Sequence, residues 1–177
     1  MKSCIYINFV AHFHHQWLAE HLELGVSREG IDLVDNYIGV ELKSRMNDYG
    51  DRIAIHSKQI ERFSSDNLGL SLFWCFLYYD VNCLVQDVIT APDIQASITH
   101  REAWFIPWDW VRQFPISQAR YESYVYVGKK NFPCADTFVS FARSGGVLHV
   151  PKNSILEDRL RDGGQLTIPP ARVYVLR

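Results

Sequence analysis

An aspartate, a glutamate and a lysine occur at Asp32, Glu41 and Lys43, within the segment GIDLVDNYIGVELKS (30–44). Apolar and polar residues alternate in this segment, which predicts a small hairpin. With a turn centred after Asn36, Asp32 lies opposite Glu41, and Lys43 follows on the same face of the sheet. Opposed Cβ atoms are about 4.5–5.5 Å apart, so the three groups are expected to converge. The other face is predicted to carry the apolar side chains Ile31, Leu33, Val40 and Leu42.

Two carboxylates at that separation repel each other unless a positive charge lies between them. A hard divalent cation such as Mg²⁺ satisfies both, since it binds one or two carboxylates together with water and substrate phosphate. Lys43 can then hold or deprotonate a water that the cation has made more acidic. The alternative is an ordinary hairpin whose polar face carries solvated charges, and the hairpin by itself leaves both interpretations open.

The preceding segment predicts a helix. Phe9, Phe13 and Trp17 recur every four residues, which indicates an amphipathic helix over residues 9–24 with Gly25 as its stop. The histidines of HFHHQ, at His12, His14 and His15, offer an incomplete set of metal ligands, so we expect exposed or capping histidines instead.

The segment after the hairpin predicts a crossover to a buried strand. Ser57 is a plausible N-cap for a short helix that carries Lys58, Gln59 and Arg62. Residues 70–79 are apolar on both alternating faces, as in a central strand that is covered on both sides. This order predicts a βαβ unit whose last strand runs parallel to the strand that holds Glu41.

In the second half, residues 101–110 and 121–130 suggest strands, and residues 135–146 suggest a helix that is closed by glycine. Residues 146–151 suggest a further strand, followed by a helix with Ser154 as its cap. The tryptophans of WFIPWDW are expected to be core residues, with base stacking as the alternative use; they are Trp104, Trp108 and Trp110.

An aspartate, a spacer and then E-x-K on neighbouring strands resembles the PD-(D/E)-x-K pattern of restriction-endonuclease-like nucleases. Here the pattern is Asp32 followed by Glu41-Leu42-Lys43, with Ile31 in place of the usual proline. The segment QIERF (59–63) is similar to the Q-x-x-x-Y element of the RecB-like branch, with Phe63 in place of tyrosine.

The resemblance implies an α/β fold with a restriction-endonuclease-like core, in which helices flank a mixed central sheet. It implies that Asp32, Glu41 and the carbonyl of Leu42 hold Mg²⁺, with Mn²⁺ as the alternative, and that Lys43 positions the attacking water. Gln59 would orient the lysine or the water.

The first helix of the family often adds a glutamate that orients the metal, and Glu20 or Glu23 would supply it here, with Glu20 preferred. The implied reaction is hydrolysis of a DNA phosphodiester that leaves a 5′-phosphate. A homodimeric type II restriction endonuclease fits best. The alternatives are a structure-specific repair or resolvase-type nuclease and a non-catalytic nucleic-acid-binding module on the same fold.

The chain has 18 basic and 20 acidic residues and a net charge of −2, so DNA contact requires a local basic patch. Lys58 and Arg62 are four apart on the second predicted helix, and Arg45 and Arg52 flank the candidate site, so these four are the expected phosphate contacts. A solvated helix face is the alternative interpretation.

We expect a single domain over residues 1–177, with the catalytic core at about residues 9–80 and residues 81–177 completing the sheet and supplying any target recognition. The four cysteines lack C-x-x-C spacing, which indicates reduced, buried cysteines in a cytoplasmic protein. The apolar run LGLSLFWCFLYY is shorter than the ~20 residues that span a bilayer, so no membrane association is expected.

Overall fold

The computed structural model of the chain describes residues 2–27, 30–66, 69–82 and 95–161. It is a mixed α/β structure with a seven-stranded mixed sheet, a three-stranded sheet and helices. The helices are α1 (Lys2–Leu22), α2 (Ser57–Asp66) and α3 (Ile155–Arg161). The strands are β1 (Gly25–Val26), β2 (Leu33–Val34), β3 (Ile38–Met46), β4 (Ile53–His56), β5 (Ser71–Val81), β6 (Ile98–Pro107), β7 (Ser117–Gln118), β8 (Ser123–Val127), β9 (Phe138–Arg143) and β10 (Gly146–Pro151).

Strands from both halves of the chain form the large sheet, in the order β1-β2-β3-β5-β6-β10-β9. Its β3–β5 and β6–β10 pairs are parallel, and its other pairs are antiparallel. The small sheet has the order β4-β8-β7. The chain passes from β3 through β4 and α2 to β5, so the predicted parallel crossover is confirmed.

The large sheet buries both of its faces, because side chains of β5 alternate between two cores. Phe73, Cys75 and Leu77 face the core beneath α1 and α3, here called the helix-side core. Trp74 and Phe76 face the core shared with β4, β8 and α2, here called the small-sheet core. The prediction of a strand covered on both sides is thus confirmed.

Helix α1 begins earlier and ends earlier than its periodicity predicts. Glu23 follows the last helical residue with a φ of 54°, and the Leu24 N–H donates to the Ala19 carbonyl over 3.2 Å. This bond between residues five apart is the Schellman closure of a helix. Gly25, the predicted stop, is the first residue of β1.

The predicted helix over residues 135–146 is wrong. Phe138–Arg143 forms β9, which pairs antiparallel with β10, and Gly145 lies in the turn between them with a φ of 80°. The two glycines therefore close a hairpin, because pairing with β10 outweighs a weak local helix propensity. The strand over residues 146–151 is confirmed.

The last predicted helix is confirmed as α3, and the Glu157 N–H donates to the Ser154 hydroxyl over 3.3 Å. Trp108 is buried and stacks on Trp74 with ring centroids 4.0 Å apart, as a core residue does. Trp104 and Trp110 are half-buried and pack against the small-sheet core. Of the cysteines, Cys75 is buried but Cys134 is exposed, against expectation; Cys83 lies outside the described residues. No helix in the described part of the chain is long and apolar enough to span a membrane.

Candidate active site

The hairpin has the register that the alternation predicts, since Leu33 pairs with Val40 and Val34 with Gly39. Its turn is built by Asp35, whose Oδ1 accepts hydrogen bonds from the backbone N–H groups of Tyr37 (2.7 Å) and Ile38 (2.8 Å). A carboxylate that bonds to backbone groups two and three residues on fixes a tight turn. The local sequence therefore determines which residues lie across from each other.

The pairing of β2 with β3 ends at Leu33. The Asp32 carbonyl still accepts a 2.9 Å hydrogen bond from the Ser27 N–H, and the Asp32 side chain bonds to β3. Its Oδ2 accepts a 2.7 Å hydrogen bond from the Leu42 N–H, in place of a ladder bond. Ile31 was expected on the apolar face with Leu33 but lies in the small-sheet core. The alternation fails at Ile31, which lies before the start of β2.

Glu41 is buried, with only 4 % of its surface exposed. Its Oε1 accepts hydrogen bonds from Lys43 Nζ at 2.6 Å and from Gln59 Nε2 at 3.1 Å. Its Oε2 is buried, and no group among the described residues donates a hydrogen bond to it. Buried carboxylate oxygens in native structures normally accept a hydrogen bond or bind water or an ion, so this oxygen is a candidate ligand atom.

Lys43 is the basic residue of the candidate site, beside Asp32 and Glu41. It lies opposite Phe76 in the parallel β3–β5 pair, and its ammonium is 5.8 Å from the centroid of the Trp74 ring. The amine therefore rests on an aromatic surface, a favourable place for a cation. Asp32, Glu41, Lys43 and Gln59 were all predicted to form the site, and the structure brings these four together.

The two carboxylates have pKa values shifted in opposite directions. Burial raises the pKa of Glu41 above its ordinary value, opposed by the charge of Lys43 and reinforced by that of Asp32. Burial also acts to raise the pKa of Asp32, but hydrogen bonds from His15 and from the Leu42 N–H outweigh it and hold that pKa below its ordinary value. A pair split in this way is typical of two acids that share one site.

His15 is a residue of the site that sequence reasoning missed. It extends from α1 and places Nε2 3.6 Å from Asp32 Oδ1. The expectation of exposed or capping histidines is wrong for His14, which is buried, and for His15, which contacts Asp32. The only available signal was the helical position of His15, which indicates a helix face but not what that face packs against.

Glu20, expected to act on the metal from the first helix, is not brought to the other residues. It is exposed and lines a separate cleft with Trp17 and Arg101. It lies five residues after His15, which is about 140° around a helix of 3.6 residues per turn. Glu23 is also exposed. It directly follows the last residue of α1 and has a left-handed backbone conformation.

The four residues expected to contact phosphate have different surroundings in the structure. The Arg45 guanidinium donates from Nε to the carbonyls of Tyr49 (2.9 Å) and Gly50 (3.0 Å), so it holds the loop after β3. Arg52 is exposed and lies 5.1 Å from the centroid of the Tyr126 ring. The remaining two, Lys58 and Arg62, are exposed on α2, the helix that also carries Gln59. The side chain of Phe63 lies outside the described residues.

Among the described residues, no three His, Cys, Asp or Glu side chains cluster so that they could hold a metal ion by themselves. The site instead offers two carboxylates and a backbone carbonyl. The Leu42 N–H points to Asp32, and the N–H and C=O of one strand residue point to the same side. The Leu42 carbonyl is thus directed to the Asp32 side of β3, as a third oxygen ligand would be.

The chain was compared with protein-family models, with curated proteins and with solved structures, and none of the three comparisons returned a match. The fold class established by the coordinates is therefore mixed α/β, and the nuclease resemblance is based on the motif residues alone.

The contact between His15 and Asp32 gives a prediction for acid stability. We expect His15→Leu to raise the pKa of Asp32, because burial would act with less opposition. An aspartate with a lowered folded-state pKa contributes stability that is present above its unfolded value, 3.8, and is lost as the pH falls through the folded value. The variant should therefore have a lower Tm than the wild type near neutral pH, and the deficit should shrink below pH 3.8.

Thermal unfolding between about pH 3 and pH 7 measures this deficit. His12→Leu is the matched control, since His12 is exposed on the same helix. A pH profile of His15→Leu that runs parallel to the wild-type profile would show that the imidazole does not act on Asp32.

Proposed function

We propose that the protein is a Mg²⁺-dependent endodeoxyribonuclease with a restriction-endonuclease-like core. One observation carries the proposal. Glu41 shares one oxygen between Lys43 and Gln59, and its other oxygen is buried with no hydrogen-bond donor among the described residues. Asp32 is close enough for its charge to act on Glu41. An amine and two neighbouring acids are groups that metal-assisted hydrolysis of a phosphodiester can use.

The residues fit a hard divalent cation. Glu41 Oε2, Asp32 and the Leu42 carbonyl would hold it, with water and a substrate phosphate as the remaining ligands. Such a cation acidifies a bound water and neutralises charge on the phosphate. Its charge would also act against the raised pKa of Glu41, which burial and the charge of Asp32 produce.

Lys43 is the group that would position the attacking water. Its ammonium lies on Trp74 and bonds to Glu41 Oε1, so its position is fixed from two sides. Gln59 bonds to the same oxygen and thereby orients the carboxylate of Glu41 from α2. A preorganised pair of this kind lowers the cost of reorganisation during the reaction.

DNA would approach over α2, because Lys58 and Arg62 are exposed on the helix that carries Gln59. Arg52 would extend this surface. Cutting both strands of a duplex needs two sites, so a homodimer is part of the proposal, with a type II restriction endonuclease as the preferred class and a resolvase-type nuclease as the next.

Incubation with supercoiled plasmid tests the proposal. We expect nicked and then linear DNA in Mg²⁺ or Mn²⁺ and no cleavage in EDTA, because the carboxylates alone cannot activate water. The products should carry a 5′-phosphate, which end-labelling with and without phosphatase treatment measures. No nicking with either cation, on supercoiled, linear or branched DNA, would contradict the proposal.

A specific feature supports the non-catalytic alternative. The Lys43–Glu41 ion pair at 2.6 Å partly balances the charges of the site without any cation. A fold that keeps this pair for stability could bind nucleic acid without cutting it. DNA binding with no cleavage under either divalent cation would favour that module, and no DNA binding at all would favour a structural or interaction protein.

A further inference from the structure

Arg101 is a buried cation on the opposite face of the large sheet from Glu41. It lies near the start of β6, with 7 % of its surface exposed. It alternates with Ala103 and Phe105, so its side chain is on the helix-side face of the large sheet. Glu41 is opposite Trp74, on the small-sheet face. The two places are therefore on opposite sides of the sheet.

Among the described residues, Arg101 contacts only neutral groups. Its Nε donates to His14 Nδ1 over 3.2 Å, and its guanidinium lies 5.3 Å from the centroid of the Trp17 ring. In the described part of the chain, no carboxylate forms an ion pair with it and no acceptor bonds to its two terminal nitrogens. Burial lowers the pKa of Arg101, and no acidic neighbour opposes that shift.

His14 cannot supply a negative charge or relieve the positive one. Burial, with the charge of Arg101 as the next cause, lowers the pKa of His14 to about 3, so the imidazole is neutral at physiological pH. Its Nδ1 already accepts from Arg101. A buried cation left with one neutral acceptor is expensive, and native proteins retain such groups chiefly where a ligand pairs with them.

Arg101 opens onto a cleft of about 310 Å³, which is lined also by Gln16, Trp17, Glu20, His21 and Ser144. One wall is fixed, because Trp17 Nε1 donates to the Ser144 carbonyl over 2.7 Å. The β9–β10 turn passes close to the guanidinium, since a Cβ on Gly145 would lie 3.1 Å from Arg101 Nη1. Among the described residues that line the cleft, Glu20 is the one carboxylate, and it is exposed.

We propose that this cleft binds a small oxyanion, a phosphate or carboxylate group, with the two terminal nitrogens of Arg101 as paired donors. A guanidinium matches the two oxygens of either group in a fork-to-fork arrangement. The volume is at the lower end of the range for small-molecule sites, about 300 Å³, so the group belongs to a ligand of metabolite size. This proposal is independent of the nuclease proposal.

Titration of the full-length protein with inorganic phosphate, and separately with acetate, tests the site at constant ionic strength. We expect saturable binding of one of the two by calorimetry, and a Tm higher by about 5–10 °C at 100 times its Kd. Arg101→Met should raise that Kd by at least about tenfold, the effect of losing one charged hydrogen bond. A 5′-phosphorylated oligonucleotide, compared with the unphosphorylated strand, distinguishes a nucleic-acid end from a free anion.

Gln16→Glu is the second variant, and it keeps the test valid if Arg101→Met does not fold. Gln16 is exposed at the rim, so the change adds a carboxylate beside Arg101 at nearly constant shape and should weaken anion binding by a similar factor. Gln113→Glu makes the same change on an exposed residue elsewhere and should leave Kd unaltered. No saturable binding of either anion to the wild type, or equal binding by wild type and Gln16→Glu, would overturn the proposal.

Discussion

Lys43→Met is expected to reduce Mg²⁺-dependent nicking by about 10²–10⁴-fold, the usual range for losing a group that moves or holds a proton. Methionine keeps an unbranched apolar stem of similar length but loses the ammonium that lies over Trp74, so the backbone of β3 should be retained. Affinity for DNA should change by less than about tenfold, because one amine among several basic groups contributes little. Single-turnover nicking at saturating protein, together with DNA binding in EDTA, separates the two effects.

Lys152→Met is the matched control, since Lys152 is exposed in the turn before α3 and far along the chain from the site. It should nick DNA at the wild-type rate. If Lys43→Met keeps more than about one tenth of that rate, the amine does not position the water, and the role would have to pass to another group.

The second large effect is expected for Glu41→Gln. The amide keeps an oxygen that accepts from Lys43 and Gln59 but loses the negative charge. A bound cation contributes several kcal/mol of transition-state stabilisation, so nicking should fall by about 10³-fold at 1.36 kcal/mol per decade. Mg²⁺ should raise the Tm of the wild type and leave that of Glu41→Gln unchanged.

Glu41→Gln should also change the stability of the protein in the absence of a cation. We expect the substitution to stabilise the fold near neutral pH. The pKa of Glu41 is raised in the fold, so the folded protein holds a proton that the unfolded chain releases near pH 4.5. Wild-type stability therefore falls as the pH rises from 4.5 through the folded value, and Glu41→Gln escapes this loss.

Without added cation, Glu41→Gln should thus have the higher Tm near neutral pH and no advantage below pH 4.5. Asp136→Asn, which alters an exposed acid, controls for the change in net charge. A variant that is less stable than the wild type at neutral pH, yet still stabilised by Mg²⁺, would show that Glu41 is a structural residue and not a ligand.

The hairpin could be predicted because its determinants are local. Alternation fixes the faces, and Asp35 fixes the turn through bonds to residues two and three positions on. Glu41 and Lys43 could be placed together for the same reason, since both lie on one strand. The parallel pairing of β3 with β5 followed from the order of elements and the right-handed crossover rule.

The predictions that were wrong concern features that are set by contacts between segments distant in sequence. The rotation of α1 about its own axis decides which helix face packs on the hairpin, so that His15 and not Glu20 faces Asp32. No local sequence pattern encodes that rotation. Residues 138–143 have helix-compatible composition, but the neighbouring strand β10 supplies partners that a helix cannot use. Ile31 was misplaced because the point at which a strand stops pairing is set by the whole sheet.

Because β2 is short, much of one edge of β3 has no strand partner in the described part of the chain. Pairing with β2 covers only Gly39 and Val40, so in the described part of the chain the later residues of β3 have no strand neighbour on that side. An exposed strand edge of this kind pairs with strands of other molecules and leads to aggregation. Asp32 occupies the Leu42 N–H that an incoming strand would need, and its charge would also disfavour such a strand. Asp32, proposed for chemistry, therefore also acts as a gatekeeper against self-association.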